Sequence, residues 1–253
     1  MIEKITSTNN KTIKFIKQII NDKKYRDSAE VFGVESYRVT KQLIDNKYTL
    51  KYVLVSSSSK YVSAFNKESI IWVNDNVFST LSSLANSDGI IGIFNKQKKS
   101  LQLAPNKKYI ILDKIQNPGN FGAIARICVA FKLDGIIVSN DSVDIYNPAI
   151  IRGSMGAIFS IPVMVTTDLG KMIGELKKLQ YKVFSTTLDK NARDVNSISF
   201  PSSCAIIFGN EGNGIDLKYI KMSDETIYIK ISEQVDSLNI AATVAIIAWK
   251  LTQ

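Results

Sequence analysis

The second half of this 253-residue chain alternates short apolar runs with helical segments, and no other feature restricts its fold as tightly. Strands are expected at 109–112, 135–138, 161–165, 182–185, 205–208 and 226–231, with helices at 121–131, 168–180 and 237–251. Short apolar strands separated by helices imply an α/β fold with a mostly parallel sheet covered on both faces. Ligands of such sheets collect beyond the carboxyl ends of the strands, so the loops beginning at Asp113, Thr186, Gly209 and Ser232 are the candidates for chemistry.

The first half reads as a separate, smaller α/β unit. Ser7 to Asn10 offers caps for a helix at 11–21 that carries Ile13, Ile16 and Ile20 at helical spacing. Strands at 31–34, 52–55, 70–73 and 90–94 alternate with helices through Val39 and Leu43 and around 77–84. The lysine-rich stretch 95–108, with one proline and little periodicity, reads as a linker. The expected domains are therefore 1–94, a linker at 95–108, and 109–253.

Charge follows this division. Residues 1–104 hold sixteen Lys/Arg against nine Asp/Glu, whereas 105–253 hold sixteen against fourteen. A basic half suits contact with a polyanion. Lys11, Lys14 and Lys17 form a row spaced by three, and Lys23, Lys24 and Arg26 follow, although a solvated helix face explains the row equally well.

Other classes drop out. The chain contains no histidine, which removes Ser-His-Asp and Cys-His nucleophile systems and histidine-based metal sites. Cys128 and Cys204 lie far apart in apolar stretches and read as reduced core residues, so no metal is expected. No apolar run approaches the roughly 20 residues of a membrane span. The opening Met1-Ile2-Glu3-Lys4 lacks the apolar core of a signal peptide, and a cytoplasmic location is expected.

Three stretches carry polar groups where a parallel sheet would present them. Asn117-Pro118-Gly119-Asn120 is a turn signal in which Asn120 offers a helix cap, and Arg126 lies six residues further along. Phe208-Gly209-Asn210-Glu211-Gly212-Asn213-Gly214 runs a strand into a glycine-rich loop around one carboxylate. Its order, G-x-x-G-x-G after a late strand, does not match the dinucleotide fingerprint. Ser237-Leu238-Asn239 heads an apolar helix. Between the first two, Arg152-Gly153-Ser154-Met155-Gly156-Ala157 joins an arginine to small residues that permit close backbone packing.

Together, in this order, these segments resemble the SpoU/TrmH family of RNA ribose 2′-O-methyltransferases, within the SPOUT superfamily. The resemblance covers 109–253, and Phe32-Gly33-Val34-Glu35-Ser36 resembles the start of the family's L30e/L7Ae-like substrate-binding domain. It implies a C-terminal trefoil knot, a homodimer formed through the knotted domain, and S-adenosylmethionine as cofactor without metal. It further implies that Thr186, Gly209, Asn210, Ile229 and Leu238 hold the cofactor, and that Asn120, Glu211, Ser237 and Asn239 order the site. Arg126 would meet the target ribose or its phosphate, while Lys11, Lys14, Lys17, Arg26 and Arg152 would bind RNA.

The expected reaction is methyl transfer to a ribose 2′-oxygen in structured RNA, with ribosomal RNA favoured because of the N-terminal domain. The alternatives are the same chemistry on tRNA, or a non-catalytic RNA-binding or ribosome-assembly factor. Two stretches depart from the family pattern. Ile229-Lys230-Ile231 stands where Ile-Pro-Met is common, and Glu35-Ser36 stands where Glu-Gly is usual.

Overall fold

Asn10 starts the first helix by accepting the Thr12 amide on its Oδ1 at 2.8 Å, which satisfies one of the free donors of the first turn. The computed structural model describes residues 4–97 and 101–253, so part of the expected linker and Met1-Ile2-Glu3 lie outside the described residues. The chain divides into two compact units, Met1–Lys98 with Tyr146–Arg152, and Lys99–Ile145 with Gly153–Gln253.

The first unit begins with α1 (Lys11–Asn21) and α2 (Lys23–Ala29). It continues through β1 (Val31–Glu35), α3 (Tyr37–Asp45), β2 (Leu50–Ser56), β3 (Ile70–Val73), α4 (Asp75–Ser79) and β4 (Ile90–Asn95). Its sheet has the order β1-β4-β2-β3, with β4 antiparallel to both neighbours and β2 parallel to β3. Ile13, Ile16 and Ile19 of α1 pack on this sheet with Val31, Leu54 and Ile93.

The expectation that Arg26 binds RNA is corrected by the structure. The side chain is buried at 3% exposure, and its Nη1 donates to the carbonyls of Ile19 at 2.9 Å and Ile20 at 3.0 Å. Those carbonyls lie in the last turn of α1, where no intrahelical partner exists. Arg26 is therefore a clasp between two helices, whereas Lys11, Lys14 and Lys17 are exposed.

Ser36 sits at φ 142° and ψ 133°, in backbone space that favours glycine, which gives a physical reason for the Glu-Gly usual at this point. The neighbouring Glu35 carboxylate accepts from Ser82 Oγ, and from the amide and hydroxyl of Ser83 at 3.1 and 3.0 Å.

The second half of the chain runs through β5 (Lys108–Leu112), α5 (Pro118–Ala130), β6 (Gly135–Ser139), α6 (Pro148–Gly153), β7 (Val163–Thr166), α7 (Leu169–Lys178) and β8 (Lys182–Thr186). It then adds β9 (Arg193–Asp194), β10 (Cys204–Phe208), α8 (Leu217–Met222), β11 (Glu225–Tyr228) and α9 (Ile240–Leu251). All of these but α6 build the second unit, since Tyr146–Arg152 groups with the first. Seven strands lie in the order β7-β6-β5-β10-β8-β11-β9, and every pairing is parallel. Strands β6 and β10 are buried along their whole length, as a sheet covered on both faces requires.

Element boundaries shift in ways that matter for the site. The helix expected at 121–131 begins at Pro118, because Asn117 and not Asn120 is its cap. The strand expected at 226–231 ends at Tyr228, and the helix expected at 237–251 begins at Ile240. The expected linker is packed from Leu101 onward: Leu101 is buried in the core of the second unit, and Tyr181 donates its hydroxyl to the Ala104 carbonyl. Among the described residues, no helix is long and apolar enough to cross a membrane.

Candidate active site

The sheet order reverses at β5, since β6 and β7 extend from one side of it while β10 and β8 extend from the other. At such a switch point neighbouring loops diverge and leave a crevice at the carboxyl ends of the strands. The two loops that diverge here start at Asp113 and Gly209.

Gly209 is required by sterics. A Cβ at this position would lie 2.1 Å from the Gly214 carbonyl carbon and 2.2 Å from the Ile215 nitrogen, because the loop folds back on its own start. The closure is a two-bond bridge, Asn210 N to Gly214 O at 3.0 Å and Gly214 N to Asn210 O at 2.9 Å, with Gly214 at φ 68°. The Asn210 side chain serves both loops. Its Oδ1 accepts from Gly212 at 2.8 Å, and its Nδ2 donates to the Lys114 carbonyl at 2.8 Å, tying the two loops together.

Beneath them lies Asp113, 1% exposed, whose Oδ2 accepts the Asp216 amide at 3.0 Å. Its Oδ1 has no partner among the described residues. Burial pushes the Asp113 carboxyl above the usual aspartate range. Asp216 moves the other way, chiefly because it accepts the Lys218 amide at the start of α8.

The expected ordering residues converge on Asn120. Because Asn117 caps α5 by accepting from Gly119 at 2.8 Å and Asn120 N at 3.2 Å, the Asn120 side chain is free to act elsewhere. Its Nδ2 donates to Glu211 Oε1 at 2.6 Å, and its Oδ1 accepts from Asn239 Nδ2 at 3.1 Å. Asn239 in turn caps α9 by accepting the Ala241 amide on Oδ1 at 2.9 Å. One amide thereby joins the first turn of α5, the glycine loop and the start of α9. Ser237 is not part of this network: it is exposed and makes no hydrogen bond among the described residues.

Next to Asn239, Leu238 forms one wall of an open cleft. Thr186 at the end of β8 and Thr187 and Leu188 just beyond it line the cleft, and Ile229 and Ile231 line it beyond β11, with Thr243 and Ile247 contributed by α9. Of the expected cofactor residues, Thr186, Ile229 and Leu238 face this cleft, while Gly209 and Asn210 shape the adjoining loop. Ile227 and Tyr228, at the end of β11, line it as well. The amides of Ile231 and Leu238 have no partner among the described residues and are available to a ligand. Apolar walls, threonine hydroxyls and free amides suit a nucleoside-bearing group, and the residues present fit one. Thr187, Leu188 and Thr243 carry no local sequence signal that marks a pocket wall, whereas Ile231 stands at one of the departures from the family pattern.

Arg126 lies further along α5, exposed and without an ion pair among the described residues; its Nη1 contacts Met155 Sδ at 3.2 Å. Arg152 is also exposed and donates from Nη1 to Ser83 Oγ at 2.7 Å.

The model of the SpoU rRNA Methylase family matches residues 107–249, the stretch that contains this whole site. The chain belongs to the SpoU rRNA methylase family. An MRM3-like substrate binding domain matches residues 10–92. A curated relative, the 23S rRNA (guanosine(2553)-2′-O)-methyltransferase RlmP of Bacillus subtilis, is 27% identical over 251 residues, covering 99% of each chain. Among solved structures, the AdoMet-bound rRNA methyltransferase of Sinorhizobium meliloti superposes with a TM-score of 0.85 at 24% identity, covering 98% of this chain and 97% of that one. The AdoMet complex of the SpoU methyltransferase AviRb from Streptomyces viridochromogenes gives 0.87 at 18% identity, covering 96% and 97%. The fold of the site is therefore one that SpoU relatives share.

Proposed function

We propose that this SpoU family member transfers the methyl group of S-adenosylmethionine to a ribose 2′-oxygen in ribosomal RNA. The observation that carries the reading is the Asn120 hub, which joins Glu211 and Asn239 beside a cleft with free amides at Ile231 and Leu238. Full-length similarity to an rRNA enzyme over both units favours ribosomal RNA over tRNA.

When bound, S-adenosylmethionine supplies an electrophilic methyl on a sulfonium, so the protein's task is alignment, charge stabilisation and exclusion of water. Thr186, Ile229, Ile231 and Leu238 would hold the nucleoside and its tail. Asn120, Glu211 and Asn239 fix the loops that surround it. Arg126 holds the ribose-phosphate and stabilises negative charge building on the 2′-oxygen. As a delocalised cation with five fixed N–H donors and no acceptor, Arg126 acts by charge and hydrogen bonding rather than as a base.

The exposed row Lys11, Lys14 and Lys17 would neutralise RNA phosphates. A knotted second unit and a homodimer are part of the same proposal. Support for the dimer comes from α9, which buries Ala241, Val244 and Ile247 yet leaves Ile246 and Trp249 exposed. A cytoplasmic location is part of the same proposal. The test is calorimetry with S-adenosylmethionine followed by labelled methyl transfer to total RNA from unmethylated cells. Binding with label in ribosomal RNA supports the reading, a silent titration overturns the enzyme, and label in tRNA alone overturns the substrate.

A further inference from the structure

Among the described residues, the guanidinium of Arg126 touches one polar atom, the thioether sulfur of Met155, at 3.2 Å. The backbone around Met155 sets the place of this contact. Met155 is held at φ 51°, a left-handed conformation uncommon for a non-glycine residue, and is followed by Gly156 at φ 82°. The side chain is 44% exposed, so the conformation is not stabilised by burying it. The turn lies against α5 at ordinary van der Waals distance, since a Cβ on Gly153 would lie 3.7 Å from the Gly122 Cα and 3.8 Å from the Gly119 carbonyl. Ala157 N donating to Ser154 O at 3.0 Å and Phe159 N to Gly156 O at 3.1 Å then fix the turn around Met155.

We propose that Met155 is a positioning residue for Arg126, holding the guanidinium in place through an uncharged, weak acceptor that an RNA phosphate or ribose oxygen can displace. A carboxylate at this point would lock the cation in an ion pair, and an aliphatic side chain would leave it to swing among rotamers. A thioether orients without competing. The inference rests on the role given to Arg126 above.

Met155→Leu keeps the apolar volume and removes the acceptor, whereas Met155→Gln supplies an uncharged oxygen acceptor at similar reach. Met155→Glu supplies the trap. Losing one modest hydrogen bond predicts a fall in kcat of about three- to tenfold for Leu with KM for RNA little changed. Gln should restore kcat, and Glu should raise KM for RNA, with S-adenosylmethionine affinity unchanged in all three. Positioning is also read without turnover, by NMR of the arginine guanidinium groups in the full chain, with Arg126→Lys identifying the signal. The Arg126 signal should show restricted rotation in the parent and in Gln, and averaging in Leu. A Leu variant that matches the parent in both kcat and guanidinium rotation would overturn the proposal. Restricted rotation relieved in Leu, with no RNA methylated by any form, would keep the positioning and reject the enzymatic reading.

Discussion

Asn120 and Glu211, 91 residues apart in sequence, meet through one 2.6 Å hydrogen bond in which the asparagine amide donates to the carboxylate. The bond exists because β5 and β10 are neighbours in the sheet, so the loops that leave them share a crevice. Asn120→Asp places two carboxylates at that distance and should weaken S-adenosylmethionine binding. Adding Glu211→Gln gives the introduced aspartate a donor again and should recover part of the loss. A double-mutant cycle read by calorimetry is expected to show coupling of about 0.5–3 kcal/mol.

Arg26 clasps the end of α1 from a buried position, so its removal is a stability effect. Arg26→Ala should cost about 1.5–3 kcal/mol in urea unfolding, the range for hydrogen bonds involving a charged group. The salt dependence of RNA binding should stay as in the parent, whereas Lys14→Ala should make it shallower.

Ser36 holds a backbone angle that favours glycine. Ser36→Gly relieves that strain and should raise the urea midpoint, with a gain of about 1 kcal/mol after glycine's added entropy cost. Ser36→Val should lower it.

The two aspartates below the glycine loop give opposite pH signatures. Asp216 titrates below its ordinary 3.8, so the stability it contributes is complete above that value and is lost as pH falls through the folded-state pKa. Asp113 titrates above 3.8, so its contribution is complete below that value and is lost as pH rises through the folded-state pKa. Asp216→Asn should flatten the acid side of the stability curve. Asp113→Asn should become steadily more stable relative to the parent as pH climbs through the raised pKa, then level off.

The parallel sheet was legible because its strands are isoleucine-rich runs buried on both faces, and a buried run needs no partner to declare itself. The polar site was legible as three segments, since Asn120, Glu211 and Asn239 each stand beside a turn or helix start. Finer detail was not. Asn117 and Asn120 are equally good caps in sequence, and the proline between them decides in favour of Asn117 by fitting the first helical position. Arg26 looks like one more cation in a basic run until α2 turns it back onto the carbonyls of α1. The end of β11 at Tyr228 coincides with the end of its short neighbour β9 at Asp194, and no local pattern carries that information.

The most direct measurement maps ribose 2′-O-methyl groups in ribosomal RNA from cells with and without the gene, complemented by the parent or by Arg126→Ala. One 2′-O-methyl site is expected to be lost with the gene, to return with the parent and to stay absent with Arg126→Ala, even though that variant still binds S-adenosylmethionine. An unchanged ribosomal map, or a site that Arg126→Ala restores in full, would contradict the proposed function.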